Sequence, residues 1–223
     1  MPTMSADPIV DPAPGLRERK KQQTRRHIAE TARQLFLERG FEAVTVAAVA
    51  RAADVAEKTV FNYFPTKEDL FYSGMEAFED RLLAAIRDRQ PGQSVLAAFR
   101  AFVLAPSGVF ALQQEEATQR IETITRVITG SPALLARERE VLARYTDALA
   151  ALLADETGAG PDDIEPAVVA ATLLGVHRSL IAYVRRRVLA GVPAPTIAGE
   201  LQEQAEAALD RIGDGLATYA VKR

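Results

Sequence analysis

The side chains best suited to covalent chemistry are scarce in this chain. Cysteine is absent, and only two histidines occur, His27 and His177. That inventory excludes a disulfide framework, cysteine-ligated zinc, histidine-rich metal sites and most Ser-His-Asp or Cys-His relays. Carboxylates are plentiful, as in Glu115-Glu116 and Asp162-Asp163, but no Gly-rich phosphate loop or placed partner accompanies them. Neither an enzyme, a cofactor nor a metal is expected. What the chain concentrates is positive charge. Arg17 to Arg26 holds six basic residues against one acidic, and Leu16 to Leu70 eleven against eight, within a chain of net charge −3. A basic N-terminal module on a mildly acidic body suits an end that meets a polyanion. A solvated charged arm would give the same counts, so charge alone leaves both readings open.

The elements that must position these groups are helical nearly throughout. Ile28, Ala32, Leu35 and Phe36 recur at helical spacing, and Gly40 stands where a C-cap glycine belongs. Phe71, Met75, Phe78, Leu82 and Ile86 form a second stripe, read as one helix running up to Pro91-Gly92. Leu135, Leu142, Tyr145, Leu149 and Leu152 form another. Val169 to Val188 and Ile197 to Leu216 give two long ones, and Pro and Gly fall between stripes rather than within them. No strand alternation of useful length and no repeat is found, so the spacing predicts an all-α fold of about nine helices. At 223 residues, 48% hydrophobic, one or two packed domains are supported. No uninterrupted apolar run approaches the roughly 18 residues of a membrane span. Met1 to Gly15, with five prolines or glycines and no apolar stretch, is read as a disordered arm rather than a signal peptide. The expectation is a soluble, cytoplasmic protein.

Three short helices lie between residues 24 and 64, and mostly long ones follow from Thr66. Thr45 can N-cap a helix running to Ala53, Asp54-Val55 makes a tight turn, and a second short helix follows to about Tyr63. Two short helices over such a turn make a helix-turn-helix, which sets its second helix in the DNA major groove. Pro65 breaks the chain, and Thr66-Lys67-Glu68-Asp69 reads as a capping box opening a fourth helix.

The stretch Thr45 to Lys67, most specifically Asn62-Tyr63-Phe64-Pro65-Thr66-Lys67-Glu68-Asp69-Leu70, resembles the DNA-binding domain of the tetracycline-repressor (TetR) family. The motif covers about residues 20 to 72; beyond it only length and helical layout match. The resemblance implies three parts: an arm over residues 1–15, a DNA-binding domain over 16–66, and a ligand-binding and dimerisation domain over 67–223. It also implies roles. Thr45 and Lys67, at helix N-termini, fall where the family contacts phosphates. Lys58, Thr59, Asn62 and Tyr63 fall on the exposed face of the recognition helix, suited to guanine, a thymine methyl, adenine and a phosphate respectively. Arg25, within Arg17 to Arg26, would add affinity blind to sequence. Glu57 either reads cytosine or repels wrong sites.

Departures from the family pattern bear on the operator. Asp54 stands where glycine is usual, and Ala56 where a capping Ser is usual, so Asp54 is a candidate alternative cap. Phe61 replaces a common tyrosine and has no hydroxyl for a phosphate. The family further implies a homodimer through the last two long helices and a small-molecule effector inside the helical body. Candidate lining residues are Phe99, Phe102, Phe110, Ile124, Tyr145 and His177, although each, taken singly, is more often core than ligand contact. Arg185-Arg186-Arg187 is read as a solvated helix end rather than one basic patch. The implied function is a repressor of a pseudo-palindromic operator, released by its effector. The alternatives are a constitutive DNA binder and an all-α enzyme that retains the N-terminal unit.

Overall fold

The computed structural model describes residues 15–73, 76–105 and 115–222. Ten helices and no strand are found among them. They are α1 (Leu16–Arg39), α2 (Val46–Ala52), α3 (Glu57–Tyr63), α4 (Lys67–Tyr72), α5 (Glu76–Arg87), α6 (Val95–Leu104), α7 (Glu115–Thr129), α8 (Pro132–Thr157), α9 (Glu165–Leu189) and α10 (Ala194–Leu216). Local chemistry sets their ends. Thr45, Ser94 and Ser131 cap α2, α6 and α8, each accepting a backbone N–H with its side chain. Gly158, with φ +69°, closes α8 in a left-handed turn that glycine adopts without steric cost.

The buried side chains form two clusters. In the first, Ile28, Ala32 and Phe36 of α1 meet Val49, Val60, Phe64, Leu70 and Tyr72, joined by Ile128 of α7 and Leu134 of α8. In the second, Leu82, Ile86, Phe99, Tyr145 and Leu149 surround the inner face of α9, with Ile197 and Leu209 of α10 closing the far side. Helix α9 lies against α7, α8 and α10.

The single helix read across Phe71 to Ile86 is two elements, which raises the number from about nine to ten. Helix α4 ends at Tyr72, and α5 begins at Glu76. The Ser73 hydroxyl donates to the Leu70 carbonyl, 2.9 Å away, a side-chain bond that competes with helix continuation. The apolar periodicity runs unbroken across this site and so conceals it. Helix α9 is also long and apolar enough to cross a membrane, with a mean hydropathy of 1.6 over an eighteen-residue window. Arg178 and the other polar residues dispersed along it interrupt every apolar run, which is why a search for unbroken runs passes over it.

A polar seam joins the two clusters along the first turns of α8. The Ser131 hydroxyl donates to Glu42 at 2.6 Å, and the Tyr72 hydroxyl donates to the Leu134 carbonyl at 3.1 Å. Arg137 pairs with Asp69 at 2.5 Å, and Arg185 of α9 grips both oxygens of Glu138 at 2.6 and 2.8 Å. Burial, reinforced by the Glu138 charge, pushes the Tyr72 hydroxyl far above its ordinary pKa, so it stays a neutral donor.

Candidate nucleic-acid interface

Every start and stop around α2 and α3 has a local cause. The Thr45 hydroxyl accepts from the Ala48 N–H at 3.1 Å, so its side chain is engaged in the cap while remaining exposed. Ala53 to Ala56 turn the chain, with the Val55 N–H donating to the Ala50 carbonyl at 3.0 Å. Asp54 sits in that turn at φ +52°, a left-handed backbone that explains why glycine suits the position. The carboxylate of Asp54 makes no cap to the next helix: α3 has Ala56 as its N-cap and no side-chain cap hydrogen bond. After Pro65 the expected capping box is complete. Thr66 accepts from the Asp69 N–H, and Asp69 accepts from the Thr66 N–H, both at 3.1 Å.

Helix α3 then divides cleanly by face. Val60 and Phe64 are buried, while Glu57, Lys58, Phe61 and Asn62 are exposed; Thr59 and Tyr63 are half-buried at the margins. Lys67 extends its ammonium over the Phe41 ring, 4.2 Å from the centroid, and Arg25 lays its guanidinium over Phe64 at 5.1 Å. These contacts hold two cations of flexible stem in place beside α3. Next to Tyr63, Gly15, Arg17, Glu18, Lys20, Lys21 and Thr24 of the α1 end line an open concavity of about 760 Å³. Three of these residues, Arg17, Lys20 and Lys21, are cationic and one, Glu18, is anionic. The chemistry on offer is phosphate pairing by the basic residues and base-edge hydrogen bonding by Lys58, Asn62 and Glu57. His27 is exposed on α1. Phe61, absent from the residues that the sequence assigns to the interface, belongs to this outer face; its departure from the family's tyrosine was the available signal.

The residues assigned to an effector pocket separate into three groups. Phe102, Tyr145 and His177 converge on Phe78, with ring centroids 5.3, 5.8 and 4.6 Å away, the histidine stacked at 23°. Phe99 is buried in the same cluster. Ile124 does not join them: it packs on the N-terminal cluster, because the α7 face carrying Ile124, Val127 and Ile128 turns toward α1. Phe110 lies outside the described residues. Burial lowers the His177 pKa to about 4, so the ring is neutral near pH 7. Arg185, Arg186 and Arg187 do not share a patch; Arg186 is exposed in the last turn of α9, while Arg185 and Arg187 are half-buried in ion pairs. Arg185 holds Glu138, Arg186 lies over Tyr183, and Arg187 pairs with Glu200 at 2.5 Å.

Thr45-capped α2, the tight left-handed turn and the two-faced α3 define a helix-turn-helix carried on a helical body. The model of bacterial regulatory proteins of the tetR family matches residues 28–73, and that of the MftR C-terminal domain matches residues 93–217. The transcriptional regulator TcmR of Streptomyces glaucescens is 31% identical over 170 residues, 74% of each chain. The transcriptional repressor KstR of Rhodococcus jostii RHA1 is 28% identical over 168 residues, 75% of this chain and 76% of its own. The crystal structure of NalD, a secondary repressor of the MexAB-OprM efflux pump in Pseudomonas aeruginosa, shares the fold. It has a TM-score of 0.53 at 20% identity, covering 84% of this chain and 97% of NalD. This chain belongs to the TetR family of transcriptional regulators.

Proposed function

We propose that this regulator is a homodimeric repressor that binds a pseudo-palindromic DNA operator and leaves it when a small molecule occupies the helical body. Residues 16–66 form the DNA-binding part and 67–223 the body, within the cytoplasm where its operator lies. The observation that carries the DNA reading is the outer face of α3: Glu57, Lys58 and Asn62 are exposed with base-reading chemistry beside a concavity that Arg17, Lys20 and Lys21 help to line. Thr45 and Lys67 hold phosphates at the starts of α2 and α4, Thr59 and Tyr63 flank the reading face, and Arg25 adds attraction.

Dimerisation is favoured by α9. Its window of mean hydropathy 1.6 is only 39% buried within the chain. A second copy set against α9 and α10 would cover the remainder and place two recognition helices on half-sites about 34 Å apart. The effector enters among Phe99, Phe102, Tyr145 and His177, parting rings that now touch Phe78. The seam from Arg185 through Glu138 and Arg137 to Asp69 connects that region to the α4 cap. A coupling of about 1–3 kcal/mol through it would regulate 5- to 150-fold.

Selection of random duplex DNA by the purified protein at about 150 mM salt tests the reading. Enrichment of a two-fold symmetric motif is expected. Enrichment of nothing by a helical, dimeric protein would overturn it.

A further inference from the structure

Five large apolar side chains are exposed among the described residues: Phe61, Ile164, Val168, Leu189 and Val221. Ile164, Val168 and Leu189 belong to the open side of α9 and its flanks, and Val221 follows α10. Phe61 is the one on the N-terminal helices, 46% exposed, and it stacks on no aromatic ring of the described chain. It follows Glu57 by four residues and Lys58 by three, so all three share one face of α3, with Asn62 beside them. The residue that packs α3 inward is its neighbour Val60, fully buried. Val60, not Phe61, is thus the residue that anchors this turn of α3 to the core.

A phenyl ring on a face otherwise made of Glu, Lys and Asn cannot hydrogen-bond a base edge or a phosphate. In the major groove, thymine alone presents a methyl group, where cytosine has only a C–H and the recognition groups of guanine and adenine are polar. We propose that Phe61 is a specificity-determining residue that selects thymine in each operator half-site by apolar contact with that methyl. The inference rests on the reading of α3 as the DNA-facing helix. It replaces the phosphate bond implied for a tyrosine here with a base-selective contact.

Deoxyuridine supplies the test, because it differs from thymine by that methyl alone. Duplexes carrying the selected motif receive deoxyuridine at one thymine position per half-site in turn, and affinities are measured for the wild-type chain and Phe61→Ala. At one position the wild type should weaken about fourfold per half-site, the equivalent of about 0.8 kcal/mol for one buried methyl. Phe61→Ala should be indifferent at that same position while remaining folded, since the removed ring is exposed. If deoxyuridine weakens both proteins equally at every position, or neither at any, Phe61 does not read thymine. Uniform weakening by Phe61→Ala without methyl dependence also overturns the proposal. If no motif is selected at all, the DNA-facing reading of α3 fails, and the thymine contact with it.

Discussion

The side chains of Lys58 and Asn62 make no hydrogen bond among the described residues, while Val60 and Phe64 carry the packing of α3. Their removal should therefore cost recognition and not stability. Lys58→Ala and Asn62→Ala should each weaken the operator complex by about 1–3 kcal/mol, with unchanged thermal unfolding. Lys67→Ala should instead weaken all sequences alike and flatten the salt dependence by about one unit in a titration series. Ala56 offers the opposite kind of test. Its backbone has the extended conformation of an N-cap (φ −70°, ψ 145°) but no side-chain acceptor. Ala56→Ser should raise stability by about 1 kcal/mol in urea denaturation. His177 predicts a pH dependence. Burial holds its folded pKa near 4, below the unfolded value of about 6.5, so the unfolded chain binds the extra proton between those limits. The contribution is complete above pH 6.5 and is lost as pH falls toward 4. Unfolding free energy should drop by about 2 kcal/mol from pH 7 to pH 5 through this residue, and His177→Phe should remove that part of the slope.

At the scale of elements, what could be read from the sequence was whatever leaves a periodic or capping signature. The stripe from Ile28 to Phe36, the Thr45 cap and the Thr66–Asp69 box are local patterns, and each forms as the residues dictate. The break at Ser73 was hidden because Phe71 and Phe78 keep helical phase across it. That Ile124 packs on the N-terminal cluster was not legible, because its direction depends on the rotation of α7 about its axis, which no local pattern fixes. The seam along α8 was invisible for the same reason: its pairs join residues 47 to 89 positions apart. So was the junction at Arg89. Its side chain is 1% exposed, donates to both oxygens of Glu156 at 3.1 and 2.6 Å, and also bonds the Ala220 carbonyl at 2.6 Å. Burial works against the Glu156 charge, yet Arg89 and Lys222 offset it and keep that pKa below the ordinary value. Arg89 thus ties the end of α5 to α8 and to the segment after α10. Arg89→Ala should cost about 1–3 kcal/mol, because it removes a charged hydrogen-bond donor and leaves the Glu156 carboxylate with Lys222 alone. Chemical denaturation of the variant measures this.

For the whole molecule, the decisive question is what covers α9 and α10. Gly175 lies in the middle of α9 and Gly199 within α10, and a Cβ at either would meet open space in the single chain. A helix-interior glycine costs about 1 kcal/mol relative to alanine, and none of the described residues requires it at these two positions. A second helix approaching closely would require it, and Ala171 and Ala182 continue the small, exposed surface beside Gly175. Substitutions at Gly175 should therefore act with opposite signs on the monomer and the dimer. Gly175→Ala should strengthen α9 in the monomer, where the added methyl meets no neighbour. Gly175→Arg should leave that monomer folded and prevent the second copy from docking. Sedimentation at micromolar concentration should then show the mass fall from dimer to 24.2 kDa, with the helical circular dichroism retained. Operator affinity should fall with it, since a lone recognition helix reaches one half-site. A Gly175→Arg chain that stays dimeric would place the interface on another face and leave the two glycines without a function.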